Sequence, residues 1–178
     1  MPLIQIEGKM APKAFVFFSK GGRRHRIGLR RRTRIARRFP RRSIVNLIDI
    51  AVRTLTGSEL IHCSIGFDGG VLDPRIGGDS FWPILNYIDD YPGLAWVVMV
   101  TLERSIDLDD ISIPGPKPVL PSLIRWTVFG LAPAPEDCVS TVSRALRAGG
   151  ICVPKRIVSP KQLLRWLIQQ EYPHSGID

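Results

Sequence analysis

The stretch that decides the fold is Glu59-Leu-Ile-His-Cys-Ser-Ile-Gly-Phe67, continued by Asp68-Gly-Gly70 and Val71-Leu-Asp73. Its first part alternates with the period of a β-strand. Ile61, Cys63, Ile65 and Phe67 fall on one face, and Leu60, His62, Ser64 and Gly66 on the other. The first face is apolar and reads as core. The second sets an imidazole beside two small side chains, which leaves space for a group to approach it. Asp68-Gly69-Gly70 tolerates positive φ and suits a tight turn. Val71-Leu72-Asp73 then reads as a return strand, which brings Asp73 near His62 across a hairpin. A histidine beside a carboxylate becomes a chemical site only when a nucleophile joins it.

Outward from the hairpin, two helices have clear signals. Pro135 suits a first helical position, and Glu136 and Asp137 suit the first turn. Val139, Val142, Ala145 and Leu146 form a stripe to bury, and Gly149-Gly150 stops the helix. Ser159-Pro160-Lys-Gln162 has capping-box form, and Leu163, Leu164, Trp166, Leu167 and Ile168 supply the core face behind it. A third helix runs from an N-cap at Ser43 through Ile44, Leu47, Ile48, Ala51, Val52 and Leu55, with Gly57 closing it. Ala14-Phe-Val-Phe-Phe-Ser19 and Pro2–Glu7 read as short strands, and Leu94–Leu102 as a buried one. Residues 75–93, rich in Gly, Pro, Asp and aromatics, read as a loop holding at most a turn or two of helix. Residues 105–121 read as a proline-rich connection, and residues 122–130 fit a strand or a helix.

Charge divides the chain. Residues 1–42 carry 14 Lys and Arg against the single acid Glu7, whereas residues 43–178 carry 11 against 15 acids. The net charge of +9 therefore averages a basic N-terminal arm with an acidic globular part. Twelve of these cations are concentrated between Lys20 and Arg42: Lys20, Arg23, Arg24, Arg26, Arg30, Arg31, Arg32, Arg34, Arg37, Arg38, Arg41 and Arg42. Three readings stay open for it: a solvated tail, a binder of nucleic-acid phosphates or an acidic protein partner, or a tether to an anionic surface. The division expected is an arm over 1–42 and a domain over 43–178. On this reading, removing residues 1–42 leaves activity on a small substrate unchanged.

No apolar run approaches the ~18 residues of a membrane span, and the N-terminus does not read as a signal peptide. The expected location is the cytoplasm or a virion. Cys63, Cys138 and Cys152 do not form a disulfide framework, and no CxxC or Cys/His cluster points to zinc. No cofactor or metal is expected.

Cys138 is the candidate nucleophile. A thiol in a helix's first turn feels the positive end of the helix dipole and unpaired N–H groups, which favour thiolate. A neighbouring imidazole favours it further, and amides at the same helix end suit an oxyanion. Glu136 and Asp137 act against it. Cys63 reads as core, since strand neighbours point to opposite faces and deny it a pairing with His62. Cys152 reads as core or a satellite contact. His25 lies in the arm, and His174 in a tail with no structured partner.

His62 at a strand start, the Gly-containing hairpin to Asp73, the later helix opening on Cys138 and the Val158-Ser-Pro-Lys-Gln-Leu-Leu164 start resemble one family. They are similar to the circularly permuted papain-like proteins, the NlpC-related group that includes YiiX-type hydrolases and the lecithin retinol acyltransferase family. The order here is His, polar residue, Cys, the reverse of an ordinary papain-like chain. The resemblance spans roughly residues 43–170 and implies an α+β fold with a small antiparallel sheet packed against helices. It implies a cysteine-dependent hydrolase of amide bonds, with His62 as base, Asp73 orienting it and Cys138 as nucleophile. Asp68 and Asp79 stay open as alternatives to Asp73. Peptidoglycan stem peptides are the implied substrate, and a bacteriophage or bacterial source the implied setting. The alternative is a non-enzymatic virion or assembly protein on the same scaffold, holding nucleic acid or an acidic partner through its arm.

Overall fold

The computed structural model describes residues 11–20, 50, 53–55, 57–75, 78–90, 93–111 and 137–177. Among them the fold is mixed α+β. Its sheet holds β1 (Lys13–Lys20), β2 (Leu60–Phe67), β3 (Gly70–Arg75), β4 (Gly78–Pro83), β5 (Leu94–Thr101) and β6 (His174–Gly176). The helices are α1 (Ile84–Asp90), α2 (Leu108–Ile111), α3 (Cys138–Ala148) and α4 (Pro160–Gln169). Every strand pairing is antiparallel, in the order β4-β3-β2-β1-β5-β6.

The largest departure from the expected layout is β1, which lies in the middle of the sheet between β2 and β5. The globular part therefore begins before the basic run, and residues 13–20 are not part of an arm. The physical reason is in the strand itself. Ala14, Val16, Phe17 and Phe18 are all buried, because β1 presents apolar side chains to both faces of the sheet. A strand buried on both faces reads as a continuous apolar run, and it needs a ladder on each edge to satisfy its backbone. The arm cations Arg23 to Arg42 lie outside the described residues, as do Pro2–Glu7, Ser43 and the first turns of the helix expected after it. Residues 53–55 are helical, and Gly57 follows with φ of 54°. Leu55, expected on that helix's core stripe, is exposed.

One sheet face packs against α3 and α4. Val16, Phe18, Cys63, Ile65, Phe67, Leu72, Val98 and Val100 meet Val139, Val142, Ala145, Leu146, Leu163, Leu164 and Leu167 there in a single cluster. The α3 stripe is the one its spacing predicts. Ser159 caps α4 and accepts from the Gln162 N–H at 3.3 Å, with Pro160 in the first turn. The Gln162 side chain accepts from the Val158 N–H at 2.9 Å, one residue before the cap. The opposite face is thinner, with Phe17, Val71 and Tyr87 buried on it.

The hairpin turns at Asp68 and Gly69, whose φ values of 47° and 78° are the pair a type I′ turn requires. Phe67 then pairs with Gly70, and Ile65 with Leu72. Within the span read as loop, Ile84–Asp90 is the short helix α1, a length that reading allows, but residues 78–83 are the strand β4. The partner decides: β4 lies in register with β3 from Gly70↔Pro83 to Arg75↔Gly78, and its closing proline sits on an edge strand, where no N–H is missed. The 105–121 connection holds one short helix, α2, among its described residues, and 122–130 lie outside them.

Candidate active site

The site is assembled where the N-terminus of α3 meets the start of β2. Asp137 has extended backbone and accepts from the Ser140 N–H at 2.8 Å, so it is the N-cap and Cys138 is the first helical residue. The helix thus opens at the cysteine, several residues later than the expected Pro135 start. Pro135 and Glu136 lie outside the described residues. The Ser140 hydroxyl also donates to the Asp137 carboxylate. This local reason holds whatever the rest of the fold does: Asp accepts well at a cap, and Ser140 three residues on completes the motif.

β2 supplies the imidazole, and its pairing is not regular. Ser19 pairs with His62, but Lys20 pairs with Leu60, so Ile61 is an extra residue in β2. This bulge corrects the expected facing. Leu60 joins Cys63, Ile65 and Phe67 in the core cluster, while Ile61 is half-buried. A bulge sharpens the local twist and re-aims the side chains beside it. It lies immediately before His62.

The small residues do not leave open space near the imidazole. The Ser64 hydroxyl bonds the Tyr87 hydroxyl at 2.8 Å in the buried layer. A Cβ at position 66 would meet the Phe17 ring at 3.0 Å, so Gly66 is where that ring approaches the strand. Ser64 and Gly66 accommodate the second layer of the core rather than a ligand.

His62 Nε2 lies 2.6 Å from Asp73 Oδ1. Asp73 is fully buried, and the His62 side chain keeps 18% of its exposure. Asp73 is therefore the carboxylate that meets this imidazole. Asp68 is exposed in the hairpin turn, and Asp79 is placed on β4 opposite Pro74. Burial leaves the Asp73 charge little water to lean on, so its pairing with the ring fixes both the tautomer and the ring plane. The same imidazole also acts on the Cys138 thiol.

The Cys138 sulfur takes hydrogen bonds from Cys63 and from His62. The larger effect is the Cys63 bond, and the His62 bond and positive charge add to it. Together they outweigh burial and the Asp137 carboxylate and bring the thiol down to about 6. Cys63 moves the other way. Burial pushes its thiol well above the ordinary range, helped by its bond to Cys138 and by the charges of Cys138, Asp137 and Asp73. Of the two thiols, Cys138 ionises first and Cys63 keeps its proton.

The fold thus brings together His62, Asp73 and Cys138, which are spread over 77 positions of sequence. It adds Cys63, which strand alternation had set apart. Cys63 reaches the site from the core face of β2, and Cys138 packs against that same cluster from the start of α3, a meeting of distant elements that no local signal in the sequence shows. Cys152 is exposed, not core. His174 is structured: it lies on β6 opposite Val98, with its ring 6.2 Å from the Trp96 ring and Nδ1 3.0 Å from the Tyr172 carbonyl. His25 lies outside the described residues. Among those residues no group of three or more His, Cys, Asp and Glu side chains is placed to hold a metal ion. No helix among them is long and apolar enough to cross a membrane. Comparisons with family models, with curated proteins and with solved structures returned no match.

Proposed function

We propose that the protein is a cysteine-dependent hydrolase that cleaves amide bonds by acyl transfer through Cys138. The observation that supports this best is one imidazole bonded on one side to a buried carboxylate and on the other to a thiol opening a helix. In this reading His62 holds the Cys138 proton, and the thiolate attacks the carbonyl carbon. The oxyanion that forms is met by amides at the α3 N-terminus. The Asp137 side chain engages the Ser140 N–H, and the Asp137 carbonyl accepts from Thr141, so Cys138 and Val139 are the amides suited to that task. The imidazolium returns its proton to the leaving amine, giving a thioester. His62 then takes a proton from a water whose oxygen attacks the thioester carbon; the C–S bond breaks, the acid leaves, and the Cys138 thiolate is restored beside the imidazolium.

The permuted papain-like assignment belongs to this proposal. It is supported by the chain order His62, Asp73, Cys138 and by an antiparallel sheet whose second strand faces the Cys helix. Peptidoglycan stem peptides are the substrate class the resemblance favours. The basic residues 23–42 support a complementary role, in which the arm holds the enzyme to nucleic acid or an acidic partner. Binding to random-sequence nucleic acid should then weaken steeply with added salt and disappear when the arm's arginines are replaced by Ser.

The decisive experiment uses a thiol-reactive acyl probe on the Cys152→Ser protein, which lacks the exposed thiol. Labelling is expected at Cys138 and is expected to vanish in Cys138→Ala while the thermal melt is preserved. Labelling that persists in Cys138→Ala overturns the assignment.

A further inference from the structure

We propose that Cys63 is a positioning residue of this site, its buried S–H donating a hydrogen bond to the Cys138 sulfur and holding it toward His62. The inference deepens the reading of Cys138 as a nucleophile and rests on it. Three features of the fold support it. Cys63 is fully buried in the cluster beneath α3, and Cys138 packs against that same cluster from the helix end. Cys63 pairs with Phe18 across the sheet, directly beside the Ser19↔His62 pair and the extra residue Ile61.

Chemistry assigns the direction of the bond. Three ionisable groups act on the Cys63 thiol, Asp73 on β3, Asp137 at the cap of α3 and Cys138 itself, and His62 is its neighbour along β2. Two are carboxylates, and in a poorly hydrated position they oppose a further negative charge on Cys63. Cys63 therefore remains a neutral donor while Cys138 carries the charge. A thiol is a weak donor to a neutral acceptor, but a charged acceptor strengthens the bond. His62 has to leave the thiolate to protonate a leaving group, and Cys63 has no such second task. Its donor stays on the sulfur between turnovers and keeps the nucleophile aimed.

The test is the pH profile of iodoacetamide alkylation at Cys138, resolved by peptide mapping, in the full chain. Cys63→Val fills nearly the same volume without a donor, and Cys63→Ser keeps a donor. The wild-type midpoint is expected near 6. Cys63→Val should raise it by about one pH unit, hence roughly tenfold slower alkylation well below the midpoint. Cys63→Ser should stay near the wild-type value. Thermal melts of both variants separate misfolding from donor loss, and Cys63→Ala serves as a second donor-free variant if Val overpacks. A low wild-type midpoint left unmoved by both donor-free variants overturns the positioning role alone. An ordinary thiol midpoint in the wild type overturns it together with the hydrolase reading.

Discussion

Deleting residues 1–42, which removes the whole basic segment, should abolish folding rather than merely release a tether. The deletion takes β1 from between β2 and β5. It strips out Val16 and Phe18, fully buried, and Phe17, nearly so. Burial of a large apolar side chain is worth ~1.5–3 kcal/mol, so these three account for roughly 5–9 kcal/mol. Compactness of the unfolded chain lowers that figure by ~10–40%. Even so, the loss is comparable with the whole ~5–15 kcal/mol stability of a typical domain. The deletion also exposes the facing edges of β2 and β5, whose ladder groups then have no strand to pair with. Far-UV circular dichroism and urea unfolding of residues 43–178 against the full chain measure this directly. A milder variant, Phe18→Ala in the full chain, should cost ~3–5 kcal/mol in the same assay. A cooperative melt near the full-chain midpoint for 43–178, with the low Cys138 alkylation midpoint retained, would refute the central placing of β1.

Other expectations concern the site. His62→Ala removes both a hydrogen bond and a positive charge from Cys138, so the alkylation midpoint should rise from about 6 toward the ordinary thiol value. The sign for stability follows from the same shift. A lowered folded-state pKa stabilises the protein fully above the unfolded thiol's value and ceases to do so as pH falls through about 6. The urea midpoint of wild type relative to Cys138→Ala should accordingly improve as pH is raised across that window. Asp73→Ala leaves the His62 ring without its buried partner and should cost ~1–3 kcal/mol in urea unfolding while slowing acylation of Cys138 by the probe. Unchanged acylation would remove Asp73 from the site. Asp137→Asn keeps a capping oxygen but loses the charge that raises the Cys138 pKa. Its alkylation midpoint should therefore fall with little change in melting temperature, whereas Asp137→Ala should also lose ~1 kcal/mol of stability.

The elements with local causes were legible from residues alone. The hairpin turn follows from Asp68-Gly69, the end of α3 from Gly149-Gly150, and the start of α4 from Ser159-Pro160, because each depends on the conformational preferences of a few adjacent residues. The buried stripe of α3 follows from its period. The hairpin also keeps Asp73 within reach of His62, although the β2–β3 ladder ends at Ile65↔Leu72, before either residue. Residue types at a capped helix end also marked Cys138 as a thiol poised to ionise.

Non-local pairing decided the rest. β1 carries a strand-like sequence, but nothing within it says that both of its edges are used, so its place at the centre had to come from β2 and β5. The same contact creates the bulge at Ile61, which returns Leu60 to the core and lies immediately before His62. β4 was hidden for the same reason, because the strand exists through the partner β3 provides. Local chemistry therefore named the thiol, the imidazole and the carboxylate, while the register between distant strands determined how they meet and added the second thiol beside them.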